Sequence, residues 1–203
     1  MEKPKQPLRT VLCKPTSAMS MKRALRSTFI LVCVLGLSLP AFGQSTEAPT
    51  VVMVFRHAEP VMPAMGQERD PDPSLNEAGQ QRAEALIETV AEAGVTALYS
   101  SQLKRTQETV APLAAHLGLD VTTVEISRDN LATYPTMVAE LILADHRGET
   151  VVVVNHSNTV PLIVEALGGA TVPEITENEF DHFIVVVVPT SGSVRTIRAQ
   201  YGR

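Results

Sequence analysis

Val51-Val52-Met53-Val54-Phe55-Arg56-His57-Ala58-Glu59 decides how this chain is read. Five consecutive apolar residues, three of them valine, are too few for a helix and describe a strand covered on both faces. The run ends on an arginine and a histidine. A second run, Thr150-Val151-Val152-Val153-Val154-Asn155, ends on His156. In an open α/β sheet, side chains just past the carboxyl end of a strand face the crevice where ligands bind. Two histidines there, the first beside an arginine, suggest a site for an anion, with phosphate the leading candidate.

Working outward from these runs, the chain alternates strand and helix. Residues 58 to 75 form a loop rich in Pro, Met and Asp, placed to wall the site. Helical spacing runs from Glu77 to Ala93, with Ala83, Leu86, Ile87 and Val90 on one face and Gly94 as its stop. Asn76 is the expected N-cap, with a Ser74–Glu77 capping box as the alternative. A strand at Thr96–Ser100 and a helix at Lys104–Leu117, stopped by Gly118, come next. A strand at Val121–Ile126 and a helix at Tyr134–Asp145 lead into the second valine run. A helix through Leu162, Ile163, Val164 and Leu167 ends at Gly168-Gly169. Phe183–Val188 reads as a strand, with Val194–Arg198 pairing antiparallel at the edge. This is the pattern of an α/β protein, a three-layer αβα sandwich with a mostly parallel central sheet.

The first 43 residues do not belong to that pattern. A basic patch, Met21-Lys22-Arg23-Ala24-Leu25-Arg26, precedes an apolar stretch from Thr28 to Leu39, then Pro40 and the small-residue run Ala41-Phe42-Gly43. Basic, apolar, small is the order of a secretory signal peptide, with cleavage expected after Gly43. The apolar part, about 12 residues, falls short of the roughly 20 that span a bilayer. No stable membrane insertion is therefore expected after cleavage. The residues ahead of Met21 lengthen the basic region, and Met19 or Met21 offers an alternative start. Residues 44–50 then read as a linker and residues 51–203 as one domain of an exported, periplasmic or secreted, protein.

Of the 17 Lys and Arg residues, seven precede residue 27, which leaves 10 against 21 acidic side chains beyond residue 43 and a net charge of −11. A surface so acidic excludes nucleic acid and anionic membranes as partners, so an anion site must carry its own local positive charge. Both cysteines, Cys13 and Cys33, lie in the leader, and the remaining chain has no thiol or disulfide chemistry.

Four segments in order resemble the histidine phosphatase superfamily, the phosphoglycerate mutase-like proteins. Val54-Phe55-Arg56-His57-Ala58-Glu59 is similar to the family's opening Arg-His motif. Leu75-Asn76-Glu77-Ala78-Gly79-Gln80-Gln81-Arg82-Ala83 is similar to its first-helix signature, and Tyr99 to Thr109 to the segment bearing its second arginine, here Arg105. Val151 to Thr159 resembles the segment bearing its second histidine, His156. The resemblance covers residues 51 to about 169 and implies the compact branch of the family. It also implies a metal-independent phosphomonoesterase acting on a small-molecule phosphate ester, with no cofactor and no oligomeric state specified. Alternatives are a phosphoprotein or phosphohistidine phosphatase, or a non-catalytic phosphate-binding module.

The chemistry of the residues agrees. A neutral imidazole can attack phosphorus, and His57 is the expected nucleophile. Arg56 and Arg105 offer planar forks for phosphate oxygens, which lysine matches less well. His156 is the expected further donor to the transferring group. Arg105 falls in a helix's first turn, where a cation is unfavourable unless it answers an anion. His116, His146 and His182 lack such company and read as surface or cap residues. No acidic or cysteine side chain has the spacing to complete a metal site with the two histidines. The family's leaving-group acid falls between Arg105 and His156, where Glu125 is the candidate by position and Asp129 the second; Glu59 and Asp72 are alternatives from the first loop. Two departures stand out. Asn155 replaces the glycine frequent before the second histidine, and its side chain is expected to narrow the pocket. Ser157 replaces the Asp of the phytase branch.

Overall fold

The computed structural model describes residues 47–202. The expected leader, 1–43, and the first part of the linker therefore lie outside the described residues. Strand β1 is Thr50–Arg56, α1 is Glu77–Val90, β2 is Val95–Ser100 and α2 is Lys104–Leu117. Then follow β3 (Val121–Thr123), α3 (Tyr134–Asp145), β4 (Thr150–Asn155), α4 (Val160–Ala166), β5 (His182–Val188) and β6 (Arg195–Gln200). The six strands form one sheet in the order β3-β2-β4-β1-β5-β6. The pairs β3–β2, β2–β4 and β4–β1 are parallel, while β5 and β6 pair antiparallel at one side.

Alternation along the valine runs explains why they are apolar throughout. Val52, Val54, Val151 and Val153 face one layer, where they meet Val138 and Ile142 of α3 and Ile163 and Val164 of α4. Met53, Phe55, Val152 and Val154 face the other, against Leu86 and Val90 of α1 and Val110 and Leu113 of α2. Phe55 stacks on Phe183 at 4.6 Å between ring centroids, and Tyr201 meets Phe55 edge-on. The central strands β1 and β4 thus bury both faces, giving the three layers expected of the sequence.

Helix boundaries follow capping chemistry. The Asn76 side chain accepts the Gly79 N–H at 2.9 Å, so Asn76, not a Ser74–Glu77 box, caps α1. A single 3₁₀ turn, Ala91–Ala93, continues α1 to Gly94, whose positive φ of 70° closes it. The strand expected over Val121–Ile126 is shorter. Ladder pairing stops at Thr123 because side chains take over the backbone groups that follow. Gln102 bonds both the N–H and the carbonyl of Ile126, and Asn130 bonds the Ser127 N–H and the Glu125 carbonyl. Among the described residues no helix is long and apolar enough to cross a membrane.

Candidate active site

In the β1–β4 register Arg56 lies opposite Asn155, so the residues that follow, His57 and His156, emerge side by side. The His57 N–H donates to the Asn155 carbonyl at 2.8 Å and extends the ladder one step. The two rings stand 5.5 Å apart between centroids, tilted 61°. Both histidines, and Arg56, are more than nine-tenths buried. They open on a cavity of about 580 Å³, with Arg56, His57, Arg105 and His156 in its wall. The four residues expected from the sequence are thus brought together at the carboxyl ends of neighbouring strands.

His57 Nδ1 lies 2.7 Å from the Ala58 carbonyl. A carbonyl only accepts, so Nδ1 carries the proton and Nε2 keeps the free lone pair. Burial lowers the His57 pKa to about 4; the Ala58 bond opposes that shift, and the cations Arg105 and Arg56 add to it. The His156 pKa falls to about 3 through burial, then the charges of Arg105, His57 and Arg56. Both rings are neutral at physiological pH. The Ala58 N–H is held by Thr109 Oγ1 at 2.9 Å, which ties the backbone beside His57 to α2.

Arg56 does not present a free fork. Its Nη1 donates to the carbonyls of Thr176 (2.7 Å) and Glu179 (2.9 Å), and its Cζ lies 3.9 Å over the Phe180 ring. Among the described residues neither the buried Nε of Arg56 nor the buried Nδ1 of His156 has a hydrogen-bond partner. Orphaned buried nitrogens cost about 1–3 kcal/mol each unless something satisfies them, and these two sit at one site. Arg105 contacts Asp72 at only 3.8 Å. Burial lowers the pKa of each arginine, though both remain cations.

The candidate acids fare differently. Glu125 and Asp129 are exposed, and neither is in the cavity wall. The side-chain bonds that end β3 turn Ile126 to the cavity instead. Asp72 accepts the Lys104 N–H at 2.9 Å and so caps α2. Glu59 does line the cavity, but Arg82 binds its carboxylate at 2.7 to 3.0 Å. Burial alone would raise the Glu59 pKa; the hydrogen bonds and charge of Arg82 outweigh it and hold the group ionised. Asn155 does not narrow the cavity. By strand alternation its side chain turns to the α3 layer, donating to Tyr134 Oη at 2.8 Å and accepting from Thr159 Oγ1 and the His156 N–H. Of the remaining histidines, His146 caps the end of α3 and bonds Tyr99 and Glu149, while His182 pairs with Asp181. Among the described residues no cluster of His, Cys, Asp or Glu is arranged to hold a metal ion.

Nothing in the sequence pattern singles out Ser101, Thr106 or the segment from Thr176 to Phe180. Ser101 is fully buried between Thr106 and His156. The only sequence signal for it is its place one residue past β2, the strand paired with β4. The segment Thr176 to Phe180 is irregular and carries no periodicity, yet it supplies both carbonyls that hold Arg56. The outer cavity wall mixes the apolar Pro60, Met62, Pro71, Leu103 and Ile126 with polar side chains such as Arg69, Asp70 and Glu177.

Residues 52–130 match the model of the histidine phosphatase superfamily, branch 1. The six-stranded mixed sheet and four helices match the fold of solved structures that include a protein histidine phosphatase. A SixA protein from Agrobacterium tumefaciens, described as a proposed phosphohistidine phosphatase, is 25% identical over 69% of this chain and 93% of its own, with a TM-score of 0.52. The protein histidine phosphatase SixA complexed with tungstate is 17% identical, covering 74% and 96%, with a TM-score of 0.54. Bacillus stearothermophilus YhfR is 16% identical, covering 71% and 94%, with a TM-score of 0.56. No curated protein matches the sequence.

Proposed function

We propose that this protein is an exported phosphomonoesterase that works without a metal and through a phosphohistidine on His57. The observation that carries the reading is the Nδ1–H to Ala58 bond, which leaves His57 Nε2 as a free lone pair beside two arginines. In the first step Nε2 attacks phosphorus while the bond to the ester oxygen breaks, and its electron pair leaves with that oxygen, which takes a proton from solvent. Water then attacks the phosphorus of phosphohistidine and gives the proton it loses to solvent. The P–N bond breaks, and its pair returns to Nε2. Arg56, Arg105 and His156 stabilise the equatorial oxygens in both steps.

A second reading, a phosphohistidine phosphatase, is favoured by one feature: Glu59, the cavity carboxylate two residues from His57, is held ionised by Arg82. A phosphoramidate leaves more readily than an alkoxide and has less need of a general acid. The likeness to SixA at 25% identity supports the same reading. Export, read from residues 21 to 43, favours the small ester.

The test is a rapid quench with a labelled phosphomonoester. Acid-labile, base-stable label on the peptide containing His57, lost in His57→Ala, is expected, and chelators should leave turnover unchanged. Label on a serine, or fast turnover with no trapped label, rejects the mechanism.

A further inference from the structure

Ser101 connects the His156 ring to the Thr106 hydroxyl, and the catalytic scheme assigns no part to either hydroxyl. Its Oγ is 2.9 Å from His156 Nε2 and 2.8 Å from Thr106 Oγ1, and the Leu103 N–H approaches it at 3.4 Å. Thr106 Oγ1 itself contacts the carbonyls of Leu103 and Ser101 at 2.8 and 3.0 Å. The whole chain of groups is sealed from water, because Ser101 and Thr106 are fully buried and His156 is 7% exposed.

A neutral His156 carries one ring proton, and its two nitrogens compete for it. Nδ1 is buried and has no partner. If Nε2 keeps the proton, Nδ1 presents a lone pair, which repels an anion. If Nε2 instead accepts the Ser101 hydroxyl proton, the ring proton must sit on Nδ1, which becomes a donor like Arg56 Nε. Only in this second arrangement are both orphaned nitrogens of the site donors. The geometry also supplies Ser101 for it: with its own proton committed to His156, its oxygen accepts the Leu103 N–H and shares the one Thr106 hydroxyl proton with the Leu103 and Ser101 carbonyls.

We propose that Ser101 is a positioning residue that fixes His156 in the Nδ1–H form, making its second nitrogen a donor to the phosphoryl group. Ser101 touches no substrate atom and acts through the ring. The inference rests on the phosphoryl-transfer reading of the cavity, but its first readout is independent of turnover.

Two-bond ¹⁵N–¹H correlation spectra of the ¹⁵N-labelled mature protein, with and without orthovanadate as the probe, report the His156 tautomer directly. The wild type should show Nδ1–H, and Ser101→Ala should move the proton to Nε2. In steady-state assays with an aryl phosphate, Ser101→Ala should lower kcat by about 100-fold, the size of one lost preorganised donor, with KM changing far less. Ser101→Thr, which keeps the hydroxyl, should restore both the tautomer and kcat. If the alanine variant is poorly folded, Ser101→Cys keeps the volume, weakens the donor, and should show the same shift in smaller measure. An Nε2–H ring in the wild type, or a Ser101 variant that folds and keeps both tautomer and kcat, overturns the inference. A wild type that shows the Ser101-dependent tautomer and hydrolyses no phosphate ester instead overturns the phosphatase reading and leaves this one standing.

Discussion

Arg82 binds Glu59 through Nε and Nη2, and the Nη1 of the same guanidinium donates to the carbonyls of Tyr201 and Gly202 at 3.1 and 3.2 Å. One arginine of α1 therefore fixes both the carboxylate two residues beyond His57 and the Tyr201–Gly202 backbone. Because Arg82 compensates its charge, Glu59 is an acceptor, unsuited to protonating a leaving group.

Steep dependence on leaving group follows. A general acid contributes about 100-fold or more to such a step, so esters of acidic phenols should outpace alkyl phosphates by at least about that factor in kcat/KM. Glu59→Gln should leave the ratio unchanged. Equal rates across a series of aryl and alkyl phosphates, or a ratio that rises in the glutamine variant, would show that an acid operates.

Gly79 offers a second test of how this corner is built. It sits buried in the first turn of α1, where an added Cβ would run into the backbone carbonyl of Glu59. An exposed helical glycine usually gains about 1 kcal/mol on becoming alanine. Here the sign should reverse, with a loss of about 1–3 kcal/mol from overpacking against backbone. Activity should fall too, since His57 precedes Glu59 by two residues. Urea denaturation and kcat on Gly79→Ala check this; a variant as stable and active as the wild type would refute it.

Most of the fold is legible in the sequence because its signals are local. The valine runs of β1 and β4 declare burial on both faces, and glycines at 94 and 118 mark turns of positive φ. The meeting of Arg56, His57 and His156 at one cavity follows from their places at the ends of β1 and β4. What the sequence conceals depends on side-chain bonds between distant segments. The strand propensity of Val124 to Ile126 loses to Gln102 and Asn130, which removes Glu125 from its expected place. Asn155 precedes a cavity histidine in sequence, yet alternation along β4 turns its side chain to the opposite layer, where Tyr134 and Thr159 bind it. The grip of Thr176 and Glu179 on Arg56 joins residues 120 or more apart in sequence and leaves no pattern to read.

Acid should destabilise the apoprotein well before ordinary carboxylates are protonated. His57 and His156 have folded pKa values of about 4 and about 3, depressed from 6.5. Below 6.5 the unfolded chain binds protons that the folded state refuses, so stability is full above that pH and is lost as pH falls through the interval. Each pH unit between the folded and unfolded pKa of a group is worth about 1.4 kcal/mol, so the two histidines together withdraw on the order of a few kcal/mol. Urea midpoints measured across this range should fall for the wild type and flatten in a His57→Gln/His156→Gln variant. Parallel slopes in the two proteins would show that other groups dominate.

The proposed export predicts the mature terminus. The basic, apolar and small residues from Met21 to Gly43 should be absent from protein recovered outside the cytoplasm, whose N-terminal sequence should begin near Gln44. Recovery of exported protein that still carries Met21-Lys22 would contradict cleavage.

The two arginines should fail in different ways, because only one of them also holds the cavity wall. Arg105 touches no carbonyl of the opposite wall and has only a long contact with Asp72. Arg56 spends Nη1 on the Thr176 and Glu179 carbonyls while its Nε remains unpartnered. Lysine keeps the charge and loses the planar fork. Arg105→Lys should therefore lower kcat by about 100-fold with little change in KM, the mark of a contact made mainly in the transition state. Arg56→Lys should lower kcat and raise KM together, since it also releases the segment that carries Phe180. Rate assays paired with inorganic phosphate titrations on both variants separate these outcomes. If Arg105→Lys weakens phosphate binding and leaves turnover unchanged, Arg105 does not act on the transition state, and the cavity serves to bind phosphate and not to transfer it.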